Sequence, residues 1–143
     1  THGGATLEKK DIFEIWRAHR PPYVATLSAH DPVDLAEKIE RGKGFKGPKL
    51  LLAQAVCPTG WGFDPAQGDE LARLAIDTGV WPLKEAVRGV VRHTYRPAKF
   101  RPVEEYLRPQ RRFRRLFVPR RDDVALALIQ EHVDEYWRHV EEA

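Results

Sequence analysis

The sequence predicts an α/β fold: a parallel βαβ core followed by a helical carboxyl-terminal extension. Two short apolar runs carry the expectation. "YVATLSA" (Tyr23–Ala29) and "GPKLLLAQAV" (from Gly47) are each bounded by proline or glycine, as buried strands are. Between them stands a helix signature, with Asp31 as N-cap, Pro32 at the first helical position and Gly42 at the end. Strand, helix, strand in that order implies a right-handed βαβ unit with a parallel sheet.

The remaining elements follow along the chain. "KKDIFEIWRAHRPP" places Ile12, Phe13, Ile15 and Trp16 between charges and stops at Pro21-Pro22, so it predicts a short amphipathic helix. Within the central helix the apolar stripe is Val33, Leu35, Ala36 and Ile39. After Cys57, "DPAQGDELARLAIDTGVWPL" predicts a helix facing the core with Leu71, Leu74 and Ala75 and ending near Gly79. "VRGVVRHTYRP" predicts a hairpin or an edge strand turning at Gly89. Pro102 and Pro109 bracket a helix of one or two turns. Asp122 or Asp123 caps a long last helix whose stripe runs Val124, Leu128, Ile129, Val133, Trp137, Val140. These elements divide the chain into an α/β part at residues 1–90 and a hairpin and helical extension, with an arginine-rich arm, at 91–143.

A chain of 143 residues is long enough for one domain with a substantial core. Its single cysteine excludes an internal disulfide framework and fits a reducing compartment, so the cytoplasm is expected. No apolar run reaches the roughly 18 residues of a membrane helix, and none is expected to meet a membrane. The net charge of +3 is unevenly spread: seven arginines fall between Arg108 and Arg121. With Phe113 and Phe117 among them they could form a nucleic-acid patch. The lesser weight falls there, because solvated or partner-facing arginines are the commoner outcome.

Little else in the chain resembles reactive chemistry. The six histidines are scattered and form neither HxH nor HExxH. His132 and His139 share a helix face two turns apart, too far to hold one metal unaided. Ser28, His30 and Asp31 form no triad, since neighbours on a strand point to opposite faces. "THGG" and "GKGFKGP" match neither dinucleotide nor P-loop patterns, although their glycines and lysines could cradle an anion. Cys57 remains, placed in "VCPTGWG" where the second apolar run ends. Ligands of open α/β sheets gather beyond the strand ends, and a thiolate suits iron–sulfur clusters or zinc. Such a site needs about four ligands, so Cys57 is either an inert packing residue or one corner of a site completed by other polypeptide.

Three segments in order, "VCPTGW", "LARLAIDTGVWPLKEAVRG" and "RPVEEYLRPQRRF", resemble the carboxyl-terminal part of the β subunit of pyruvate:ferredoxin oxidoreductase. More broadly, they resemble the thiamine-diphosphate-dependent 2-oxoacid:ferredoxin oxidoreductases. "KKDIFEIWRAHRPPYVATLSAHDPVDLAEKI" resembles the helix–strand–helix that precedes this cysteine in the family. The likeness runs from Lys9 to about Leu116. It implies a thiamine-diphosphate-binding-type fold and makes residues 1–90 the carboxyl-terminal part of that domain. It also implies that Cys57 is the fourth ligand of a four-iron, four-sulfur cluster. The family's other three cluster cysteines and its main thiamine motifs have no match here. His2, Gly3 and Gly4 align just after a cofactor loop, and the resemblance places them beside thiamine diphosphate without making them its main ligands; the complete enzyme would carry magnesium with that cofactor. The family's usual Gln-Gly before Arg-Phe is Gln110-Arg111-Arg112-Phe113 in this chain. The complete enzyme would decarboxylate a 2-oxoacid, with pyruvate first in expectation, form acyl-coenzyme A and reduce ferredoxin. This chain alone is expected to bind no cofactor and to be inactive without an upstream β segment and other subunits. The alternative from another class is a non-catalytic module of the same fold that binds a partner protein or nucleic acid through its arginine-rich arm.

Overall fold

A computed structural model describes residues 10–142. The chain forms two compact units that interleave along the sequence. One is a sheet unit, from the amino-terminal part through Gln54 together with Leu83–Tyr95; the other is a helical unit, from Ala55–Pro82 and the residues from Arg96 onward. The sequence suggests one boundary near residue 90. The structure instead inserts Ala55–Pro82 of the helical unit between the second and third strands, because the hairpin returns to the sheet.

The sheet unit contains α1 (Ile12–Ala18), β1 (Tyr23–Ser28), α2 (Pro32–Lys43), β2 (Lys49–Gln54), β3 (Leu83–Val87) and β4 (Val90–Tyr95). Its strand order is β2-β1-β3-β4. β1 and β2 run parallel, Tyr23 opposite Lys49 through Ser28 opposite Gln54, and are joined through α2 as the βαβ reading requires. The hairpin of β3 and β4 turns at Arg88-Gly89 and adds antiparallel to the other edge of β1. The sheet is therefore mixed rather than wholly parallel. All six residues of β1 are buried, the burial expected of a central strand covered on both faces.

Alternation along β1 separates two apolar layers. Val24 joins Ala86 and Phe13 of α1 on one face, with Leu50, Leu52 and Val91 against them. Tyr23, Ala25 and Leu27 form the other layer with Leu35 and Ile39 of α2 and with Phe45. The side chain of Asp31 accepts from the amide of Asp34 at 3.0 Å, so α2 begins at the predicted cap. Its buried face differs from the predicted stripe: Val33 and Ala36 are exposed, whereas Lys38 and Gly42 are buried. The reason is polar. Lys38 Nζ donates to the Thr26 carbonyl at 2.9 Å and to Asp34 at 2.6 Å, which satisfies an ammonium buried against the sheet.

The helical unit contains α3 (Pro58–Trp61), a 3₁₀ turn at Pro65–Gln67, α4 (Gly68–Asp77), α5 (Val103–Leu107), a 3₁₀ stretch at Arg111–Leu116 and α6 (Asp123–Glu142). Its core joins Leu71, Leu74 and Ala75 of α4 to Val103, Tyr106 and Leu107 of α5 and to Val133 and Trp137 of α6. Asp122 Oδ1 accepts from the Ala125 amide at 3.0 Å at the start of α6. The inward positions of α6 are Ala125, Leu126, Val133 and Trp137. Val124 and Leu128, expected on the stripe, are exposed. Among the described residues no helix is long and apolar enough to cross a membrane.

Candidate functional site

Cys57 follows the last residue of β2 by three positions and is the N-cap of α3. Its side chain is exposed. Pro58 occupies the first helical position, where a missing N–H costs nothing, and fixes the turn immediately after the thiol. The Gly60 amide donates to Cys57 Sγ at 3.2 Å, so the sulfur takes the capping place that an oxygen usually fills. A Cβ on Gly60 would stand 3.2 Å from that sulfur. Gly62 ends the turn in the left-handed region at φ 71°, the conformation that glycine adopts most easily.

The loop is held by the arginine-rich stretch. The Arg111 amide donates to the Gly62 carbonyl at 3.0 Å. The Arg112 guanidinium lies 4.0 Å from the centre of the Trp61 ring and 4.7 Å from that of Phe113. Its Nε donates to Gln110 Oε1 at 2.8 Å, and Gln110, fully buried, donates in turn to the Tyr106 carbonyl at 2.5 Å. Burial holds the Arg112 guanidinium below its usual range, opposed by the Tyr106 hydroxyl. Trp61 is thus half-buried beneath a cation. A shallow cleft of about 520 Å³ lies beside the loop, lined by Pro58, Thr59, Gly62, Phe63 and Arg111 among others.

The arginines do not form one free arm. Arg108 pairs with Glu104 and covers the Phe117 ring at 4.6 Å. Arg121 pairs with Glu104 and Asp123. Arg112 is committed to Trp61 and Gln110. Sequence reading had no signal for the Arg112 clamp, because residues 61 and 112 meet only through the tertiary fold.

Among the described residues no three His, Cys, Asp or Glu side chains gather as a metal site. Cys57 offers a soft donor of the kind that suits iron–sulfur clusters or zinc. His2, Gly3 and Gly4, expected near thiamine diphosphate, lie outside the described residues. No protein-family model matches the chain. Pyruvate synthase subunit PorB of Methanothermobacter thermautotrophicus is 47% identical over 131 residues, covering 92% of this chain and 44% of the relative.

The chain is therefore similar to pyruvate synthase PorB subunits. The PorB of Thermotoga maritima agrees, 39% identical over 137 residues that cover 96% of the chain and 42% of the relative. The likeness extends to ketoisovalerate oxidoreductase subunit VorB of Pyrococcus horikoshii, 36% identical over 134 residues covering 92% of the chain and 42% of the relative. The resemblance read from "VCPTGW" and its companion segments is borne out. The chain spans less than half the length of these relatives.

Proposed function

We propose that this chain serves as the cysteine-bearing part of a 2-oxoacid:ferredoxin oxidoreductase β subunit, in which Cys57 is one ligand of a four-iron, four-sulfur cluster. The observation that carries the reading is an exposed thiol at the amino end of α3, with the Gly60 amide directed at its sulfur. Amide hydrogen bonds to ligating sulfurs stabilise the charge of a cluster and raise its potential. The cluster, when bound, supplies one-electron transfer. The chain's own residues do the rest: Pro58 sets the turn, Gly60 leaves room beside the sulfur, and Arg112 with Trp61 fixes the loop from the other side.

In the complete enzyme the reaction is oxidative decarboxylation of a 2-oxoacid to acyl-coenzyme A, with ferredoxin as electron acceptor and thiamine diphosphate with magnesium as the second cofactor. Pyruvate is the first choice of substrate, since the PorB relatives are named for pyruvate synthase. The VorB relative is named for ketoisovalerate, which makes another 2-oxoacid the second choice. The fold is of the thiamine-diphosphate-binding type, and the setting is cytoplasmic. Partners are the upstream β segment, the other subunits and ferredoxin.

Reconstitution tests this directly. The 143-residue chain alone should show no 2-oxoacid-dependent reduction of ferredoxin, and addition of the remaining β polypeptide and companion subunits should restore it. Activity of the chain alone, or equal activity of the other subunits without it, contradicts the proposal.

A further inference from the structure

We infer that the cationic cleft formed by the end of α1, the loop before β2 and the β3–β4 turn binds a small phosphate-bearing ligand of nucleotide size. The cleft belongs wholly to the sheet unit, opens broadly to solvent and has a volume of about 820 Å³, within the range of sites for small organic ligands, about 300–1,000 Å³. Its charged lining residues are Arg17, Arg20, Lys46 and Arg88, from three different places along the chain, and no carboxylate lines it among the described residues.

Arg17 is already engaged: its Nε pairs with Glu14 at 2.6 Å and its Nη1 donates to the Gly89 carbonyl at 3.3 Å. That second bond ties α1 to the hairpin turn. Arg20, Lys46 and Arg88 make no ion pair among the described residues and are exposed. Three like charges around one concavity repel one another unless an anion lies between them. A phosphate group meets guanidinium forks bidentately and an ammonium as a point charge, so this set of donors suits it.

Two of the arginines sit where the backbone favours other residues. Arg20 has φ 55° and Arg88 has φ 49°. The first ends α1 and the second opens a hairpin turn of the kind that prefers Asn-Gly or Gly-Gly. Glycine or asparagine would meet either need with less strain. An arginine at both positions on the rim of the same cleft is better explained by its charge than by the turn. The loop "GKGFKGP" supplies Lys46, Gly47 and Pro48. Gly47 has φ 103°, and a Cβ there would stand 3.6 Å from Pro22 Cγ. Pro22, Pro48 and Val90 give the cleft an apolar wall beside its charges, against which the organic part of a nucleotide-like ligand can pack.

The inference does not rest on the cluster assignment. Titration of the full chain with ADP and with pyrophosphate, followed calorimetrically at low and at physiological salt, tests it. One-to-one saturable binding that weakens with salt is expected. Arg20→Gln and Arg88→Gly should each weaken it about tenfold, as loss of a hydrogen bond to a charged group does. Arg88→Gly suits the left-handed backbone, so its folding should be intact, as thermal unfolding will show. Cys57→Ser should bind like the parent chain. Absence of saturable binding by both probes, binding unchanged in both arginine variants, or binding only of an acidic polypeptide such as poly-glutamate overturns the inference.

Discussion

Gly79 has φ 77°, and a Cβ there would stand 2.4 Å from Trp137 Nε1 and 3.1 Å from the Phe100 ring. The same indole nitrogen donates to the Gly79 carbonyl at 3.1 Å, so the absence of a side chain is what lets α6 dock. Gly79→Ala combines backbone strain with overpacking and should destabilise the fold by about 3 kcal/mol, measured by denaturant unfolding. Gly60→Ala acts more locally, pressing a methyl against Cys57 Sγ. It should leave global stability within about 1 kcal/mol, since Gly60 is exposed. In the assembled enzyme it should shift the potential of the cluster that Cys57 is proposed to hold, read by redox titration. Glu85 is the clearest buried charge: it accepts from the Tyr23 hydroxyl at 2.6 Å and from Arg92 at 2.6 Å, and it pairs with Arg41. Burial alone would raise its carboxyl, but the hydrogen bonds from Tyr23 and Arg92 with the charge of Arg41 hold it below the usual range. Burial and the Glu85 carboxylate push the Tyr23 hydroxyl upward, consistent with a proton held on Tyr23. With its pKa depressed in the folded state, Glu85 contributes stability that is full above the ordinary carboxylate pKa and is lost as pH falls through the folded value. Glu85→Gln should cost about 2 kcal/mol at neutral pH and flatten the stability profile below about pH 4.5. An unfolding series across pH checks both.

At the scale of elements, the readable parts were those fixed by local chemistry. Asp31-Pro32 starts α2, Pro102 and Pro109 bracket α5, and Arg88-Gly89 turns the hairpin, because caps and turns depend on a few adjacent residues. Burial was less readable, since it depends on what covers each face. Ile12, Ile15 and Trp16 of α1 are exposed while only Phe13 is buried. β2 reads as a strand covered on both sides, yet it lies at the sheet edge with Leu51 40% exposed. Lys38 and Lys84 fill positions that polarity alone would assign to the surface. Lys84 sits 4.3 Å over the Phe13 ring, near Asp11 and Glu14, and burial pulls the pKa of both lysines down. The loop position of Cys57 was legible from its proline and glycines, but the sulfur's hydrogen bond and the clamp by Arg112 were not. Arg112→Ala removes the cation from Trp61 and the bond to Gln110. It should destabilise the helical unit by about 1–2 kcal/mol and increase quenching of Trp61 by an added quencher. Conversion of the other three tryptophans to phenylalanine isolates that fluorescence.

Across the whole molecule, the α/β class was legible and the mixed sheet was not. The βαβ pattern is local enough to read, whereas which edge of β1 receives the hairpin is decided by long-range pairing. The interleaving of the two units has the same origin, for the chain leaves the sheet after Gln54 and returns at Leu83. That excursion carries Cys57, so the proposed ligand stands on the helical unit, with α3 clamped by the Arg111–Leu116 stretch. The direct test is electron paramagnetic resonance of the anaerobically reconstituted complex with Cys57 and with Cys57→Ser. A changed spectrum from one cluster, with impaired ferredoxin reduction and the subunits still assembled, is the predicted result; an unchanged cluster spectrum with full electron transfer would contradict the account.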